Sequence, residues 1–272
     1  MTPGGCIEIA PGLLQPDWAL PAGVRALLST RAGGHSRAPF ACFNLGAHVG
    51  DDPAAVAANR ARLRTFLPAD PLWLNQVHGA AVIDAERCEG VPEADAAFAR
   101  SAGRVCAVLT ADCLPVLLCD DEARVVAAAH AGWRGLAAGI LENTVRRMGV
   151  PPQRMRAWLG PAIGPAAFEV GDEVRTAFVA RDPDAAAAFA ARPAAGKWCA
   201  DLYLLARQRL HAAGVTRVSG GSVCTVSSPA HFYSYRRDAV TGRFASLIWL
   251  DEKRAATRDA APTAGASMPH QR

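Results

Sequence analysis

No apolar run in this 272-residue sequence approaches the roughly 20 residues that span a bilayer, and the N-terminal MTPGGCIEIAPGLLQPDW has no basic segment leading into an apolar one. Both absences predict a cytoplasmic protein without a membrane partner. A basic stripe is missing too. The net charge is +4 and the 29 Lys and Arg residues are scattered, which argues against nucleic acid as a partner. No composition break or internal repeat divides the chain. It reads as one domain over residues 1–252, with an Ala-, Thr-, Pro- and Arg-rich tail at 253–272 expected to be disordered. Its eight cysteines form no short Cys-x-x-Cys loop and lie mostly in apolar runs, so free thiols in a reducing compartment are expected. Cys106, Cys119, Cys199 and Cys224 read as small buried apolar residues.

What is present is a pattern of short apolar strands and helices. VRALLST from Val24 and FASLIWL from Phe244 read as strands, as does PLWLNQVHG up to His78. Asp52 before Pro53 marks the start of a helix over residues 54–67. A second helix is expected over 199–213, ending at Gly214, and an alanine-rich pair at 176–195 broken at Asp182-Pro183. Short strands are expected at 215–218 and 222–226. The centre of the chain, Val105 to Met148, reads as strand, Ala-Asp-Cys turn, strand, acidic hairpin, strand, and a His-Ala-Gly-Trp-Arg-Gly turn opening a helix. Interleaved strands, hairpins and helices predict an α/β (α+β) domain, a mixed sheet flanked by helices.

Cys113 and His130 sit where apolar strands of this stretch end, and His78 closes the strand upstream. Cys and His are borderline-soft donors suited to zinc, and three protein ligands leave a fourth position open, which distinguishes a catalytic site from a structural one. The intervals are long, so spacing alone is weak evidence. The neighbours add to it: Gly79, Pro115 and Gly132 restrict the backbone beside each candidate, and rigid placement suits metal ligation.

The runs NQVHG, TADCLPVLL, HAGWRG, LGPAIGP with FEVGDEV, and FYSYRRD with TGRFASLIWL resemble the YfiH family of laccase-domain proteins, long labelled polyphenol oxidases. The resemblance runs from about Arg25 to Leu250. It implies that His78, Cys113 and His130 bind one metal ion, generally zinc with copper the second choice. It also implies a purine nucleoside phosphorylase acting on adenosine, inosine and methylthioadenosine, with adenosine deaminase activity. This chain carries Ala162 and Ala166 where some members have Cys, which puts any redox role of that loop in doubt. Laccase chemistry fits poorly, because multicopper oxidases draw on many histidines in His-x-His pairs, and the seven here include none.

Phosphorolysis needs an anion site. The turn after His130 opens a helix whose N-terminal amides favour anions, and Arg134 lies in its first turn. Arg134, with Arg31 or Arg236, is the expected contact for phosphate or ribose. In the loop 31–53, His48 is preferred to His35 for proton transfer, and Asn44 and Phe43 for base or ribose recognition; each also suits ordinary turn or core duty. Asp112 orients a ligand, acts as a base or caps its turn. Two other readings stay open. Cys113 as nucleophile with His130 as base would fit an amidase that edits peptidoglycan precursors, and a structural zinc would fit a binding module. The expected partners are small molecules only, in a monomer or homodimer.

Overall fold

The computed structural model describes residues 3–251, so the expected tail lies outside the described residues. Three sheets form instead of one. The first orders its strands as Ile7–Ala10, Leu13–Gln15, Val24–Ser29, Phe244–Leu250, Val105–Thr110 and Pro71–Leu72, antiparallel except at the last pair. The second runs Arg217–Gly220, Met155–Leu159, Leu114–Asp120, Val126–Ala131, Ala96–Ala99 and Val82–Asp84, parallel at both edges and antiparallel between. A third, of three short strands, joins Glu169–Gly171, Lys197–Ala200 and Phe189–Ala191. The mixed α/β class holds, with the sheet divided.

Side-chain alternation along the central strands explains the division. In Val105–Thr110, Val105, Ala107 and Leu109 join an apolar cluster with Leu63 of the helix Pro53–Arg64, while Cys106 and Val108 face the other sheet. In Leu114–Asp120, Leu117 and Cys119 meet that same interior, and Leu114, Val116 and Leu118 face the helices Ile140–Met148 and Leu202–Ala212. Each strand is therefore buried on both faces, which is why its sequence reads as a continuous apolar run. The layers are helix, sheet, sheet, helix. The Ala-Asp-Cys turn is where the chain crosses from one sheet to the other, and Asp112 takes a left-handed φ of 94° there. The metal candidate Cys113 thus stands on a sheet-to-sheet crossing, pinned by cores on both sides.

Several boundaries move. Asp52 caps the first helix through Ala54 N–H as expected. The later helix starts at Leu202, because the Asp201 side chain accepts from the Tyr203 and Leu204 amides, and Cys199 belongs to a strand. The alanine-rich pair becomes one helix, Asp172–Val179, followed by a 3-10 turn Pro183–Ala188 and the strand Phe189–Ala191. PLWLNQVHG forms strand only at Pro71–Leu72, and residues 222–226 contribute a single bridge from Cys224 to Ala162. The helix after His130 breaks at Gly139, whose φ of 96° ends Trp133–Ala138 before Ile140–Met148 begins. Cys106 and Cys119 are buried, Cys199 and Cys224 only half-buried, and all eight thiols are free. Among the described residues no helix is long and apolar enough to cross a membrane.

Candidate metal centre

His78, Cys113 and His130 come together: one ligand atom from each lies within 4.8 Å of the others. Donors around a tetrahedral zinc stand roughly 3.3–3.7 Å apart given Zn–S and Zn–N bonds of about 2.3 and 2.0 Å, so small side-chain rotations close the triangle. The rings of His78 and His130 meet edge to face, 4.8 Å between centroids.

One residue that the sequence patterns did not single out organises the set. The fully buried Asp95 carboxylate accepts the backbone N–H groups of Val77, His78 and Gly79 at 3.2, 2.9 and 2.7 Å, and holds His78 at a φ of 60°. The same carboxylate lies 2.8 Å from Nδ1 of His130. Burial pushes the Asp95 carboxyl up, but these hydrogen bonds outweigh it and leave the group below its ordinary pKa. An ionised Asp95 requires Nδ1 of His130 to carry the proton, which leaves Nε2 free for a metal.

Electrostatics within the triad follow from proximity, with His130 buried, Cys113 half-buried and His78 exposed. Burial alone would raise the Cys113 thiol, yet contacts with His130 and His78 bring it down to about 6. Burial alone would lower His130, yet the Cys113 thiolate and Asp95 push it up to about 9. Without a metal the two therefore form a thiolate–imidazolium pair. Gly132 makes room for it: a Cβ there would lie 2.8 Å from Cys113 Sγ and 3.2 Å from His78 Cδ2. Three soft donors with an orienting carboxylate behind one of them fit a single metal ion.

The triad opens into a cleft of about 450 Å³, within the usual range for a small-molecule site. Of the sequence candidates, His48, Arg134 and Arg236 line it. Partial burial, then the charges of Arg243 and Arg60, hold the His48 pKa down. Arg134 is exposed, its guanidinium 4.4 Å from the Trp133 ring centroid, and the helix it opens has only six residues. Arg236 gives its guanidinium to the Glu169 and Ala167 carbonyls at the edge of the cleft. Asp112 is no free base, because it accepts from Thr225 Oγ1, Ser234 Oγ and the Arg236 amide at 2.5, 3.0 and 2.7 Å.

Arg31, Asn44 and Phe43 do not line the cleft. Arg31 donates to the carbonyls of Ala41 and Pro229 and lies 5.1 Å from the Tyr233 ring centroid. Phe43 is fully buried in the core beneath the first helix, and buried Asn44 fastens its own loop. His35 binds Asn59 through its backbone and stands away from the cleft. Conversely, Gln76, Phe168, Leu202 and Arg243 line it. Gln76 stood within NQVHG and Arg243 within TGRFASLIWL, so both lay in recognisable motifs; Asp95 had no such signal.

A family model described as multi-copper polyphenol oxidoreductase laccase matches residues 25–251. The chain is 57% identical over 239 residues to a Pseudomonas aeruginosa protein named purine nucleoside phosphorylase, covering 88% of this chain and 98% of that one. It is 53% identical over 244 residues to purine nucleoside phosphorylase YfiH of Escherichia coli, with coverage of 88% and 98%. Among solved structures, a Neisseria meningitidis protein superposes with a TM-score of 0.85 at 51% identity, covering 88% of this chain and 99% of its own. YlmD from Geobacillus stearothermophilus also superposes at 0.85, with 34% identity and coverage of 92% and 100%.

Proposed function

This chain belongs to the family described as multi-copper polyphenol oxidoreductase laccase, and we propose that it is a zinc-dependent purine nucleoside phosphorylase that also deaminates adenosine. The observation that carries the reading is the His78–Cys113–His130 triad opening into a cleft lined by Arg134, Arg236 and Arg243. Relatives identical at more than half of the aligned positions are named purine nucleoside phosphorylase. Adenosine, inosine and methylthioadenosine are the proposed nucleosides and phosphate the co-substrate.

Zinc at an open three-ligand site, when bound, supplies Lewis acidity and a source of hydroxide near neutral pH. The chain's own residues do the rest. Asp95 fixes the tautomer and the angle of His130. His48, its pKa lowered at the cleft mouth, is neutral near pH 7 and can take up or return a proton. The arginines favour an anionic co-substrate and disfavour cations. Phe168, Leu202 and Ile163 offer an apolar wall for a purine and exclude water from one side of the cleft.

Among the described residues the cleft contains three imidazoles, His48, His78 and His130, too few for the many-histidine cluster of a multicopper oxidase. Copper is therefore second to zinc. A second reading draws on the order Cys113, His130, Asp95, which matches nucleophile, base and orienting carboxylate. That would suit a cysteine hydrolase acting on a peptidoglycan precursor. Product analysis of zinc-loaded protein with adenosine, with and without phosphate, separates the readings. Phosphate-dependent adenine supports phosphorolysis and inosine supports deamination. Neither product, with a zinc-free protein whose Cys113 alkylates readily, sinks the proposal in favour of the hydrolase.

A further inference from the structure

Arg243 is routed into the cleft by two residues of the loop 31–53, Asn44 and Gly46. Its backbone N–H donates to Asn44 Oδ1 at 2.8 Å, and Leu45 N–H donates to its carbonyl at 3.1 Å. Asn44 in turn holds the Gly46 amide at 2.9 Å and reaches the Gly46 carbonyl and Asp51 through Nδ2. Gly46 is the gap through which the arginine stem passes: a Cβ there would lie 2.9 Å from Arg243 Cγ and 3.1 Å from its Cβ. Asn44 is thus turned away from substrate, fastening its own loop and the Arg243 backbone together.

The guanidinium is only partly used. Nη1 donates to the Thr241 and Gly242 carbonyls at 3.0 Å each. Among the described residues Nε and Nη2 find no acceptor, although the residue lines the cleft. Burial pulls its pKa down, and the charges of Cys113 and Asp112 offset this only in part, as expected for a desolvated cation with no direct ion pair among the described residues. Among the described residues the one carboxylate that lines the cleft, Asp112, is occupied by Thr225, Ser234 and the Arg236 amide. Arg134 and Arg236 differ from Arg243: the first is exposed and the second is committed to backbone carbonyls. A planar fork with free donors, held within electrostatic reach of Cys113, matches the oxygens of a tetrahedral oxyanion.

We propose that Arg243 is the residue that binds the phosphate co-substrate beside the metal triad, and that Asn44 and Gly46 are its positioning residues. The proposal rests on the phosphorylase reading for the identity of the anion, while the site itself can be tested without any nucleoside. Inorganic phosphate is titrated calorimetrically into zinc-loaded wild-type, Arg243→Gln, Arg243→Lys and Gly46→Ala proteins, with zinc content and melting temperature measured on each. The expected result is phosphate binding by the wild type, weakened about ten- to a hundredfold in Arg243→Gln, as loss of a charged hydrogen-bond donor implies. Lysine should restore part of the affinity. Gly46→Ala, which keeps the arginine but displaces its stem and so shifts the guanidinium, should weaken phosphate with zinc content unchanged. In turnover the phosphate KM should rise while the nucleoside KM stays. No phosphate binding by the wild type, or equal binding by Arg243→Gln, overturns the proposal; equal binding by a folded Gly46→Ala overturns the positioning role. If Arg243→Gln does not fold, Gly46→Ala and Arg243→Lys decide. Arg243-dependent phosphate binding without release of any base from a nucleoside supports the site and sinks the phosphorylase reading instead.

Discussion

The Asp95 carboxylate lies 2.8 Å from Nδ1 of His130 while it gathers the amides of Val77, His78 and Gly79, so one buried side chain sets both histidines of the triad. Asp95→Asn is expected to lose metal affinity by about 10- to 100-fold, the usual consequence of removing a carboxylate behind a histidine ligand. Because the group is fully buried, the fold should also lose roughly 1–3 kcal/mol. Competition with a chromophoric chelator reads the first and thermal melting of the metal-free protein the second. Wild-type zinc affinity in the Asp95→Asn variant would show that the carboxylate serves the loop alone.

The metal-free protein should depend on pH through the pair Cys113 and His130. Cys113 is lowered to about 6, so its stabilisation is lost as pH falls through that value. His130 is raised to about 9, so its stabilisation is lost as pH rises through that value. Between about 6 and about 9 the pair is charged and the protein gains most from it. The melting-temperature difference between wild type and Cys113→Ser, both stripped of metal, should peak in this window. Iodoacetamide should label Cys113 with a midpoint near 6, and zinc should protect it. A labelling midpoint near 8.5, the value for a free thiol, contradicts the pairing.

Gly132 has ordinary φ/ψ of −60° and 158°, so alanine is allowed by the backbone there. Its methyl group would nonetheless stand 2.8 Å from Cys113 Sγ. Gly132→Ala is expected to keep the fold, as judged by far-UV circular dichroism, and to lose most bound zinc, as measured by atomic emission. Retention of one zinc per chain would mean that Cys113 is not held against Gly132, or is not a ligand.

Legibility in the sequence followed burial. Val105–Thr110, Leu114–Asp120 and Val126–Ala131 are buried along their whole length, and their apolar runs made the order strand, turn, strand, hairpin, strand readable. Cys113 and His130 were visible because they interrupt or close such runs. Elements set by a single capping side chain or by pairing across an alanine-rich segment were not visible. The three-stranded sheet and the start of the helix at Leu202 depend on Asp201 and on pairing across the alanine-rich segment. Asp95 reads as one acid in a polar stretch until the fold brings it under His78 and His130. In the loop 31–53, Arg31, Phe43 and Asn44 had the right chemistry for recognition, but their neighbours absorb it.

Arg31 and Arg134 give the sharpest contrast between the two kinds of arginine in this chain. Arg31 spends its guanidinium on the Ala41 and Pro229 carbonyls and on the Tyr233 ring, so it joins the loop at 41 to the segment at 229. Replacing it with alanine leaves those carbonyls without their donor and should cost roughly 1–2 kcal/mol of stability, discounted for its partial exposure. Phosphate and nucleoside KM should stay near wild type. Arg134 makes no hydrogen bond to the protein among the described residues and packs only on Trp133 at the cleft. Its replacement by alanine should leave the melting temperature alone and raise KM for phosphate or nucleoside several-fold, since a partly solvated cation contributes less than a buried one. Steady-state kinetics with each substrate varied in turn, beside thermal melting of both variants, tests the assignment. If Arg31→Ala raises the phosphate KM with stability intact, the arginine reaches substrate during turnover and the loop it fastens must move. If Arg134→Ala changes neither KM, the anion is held without it, by Arg243.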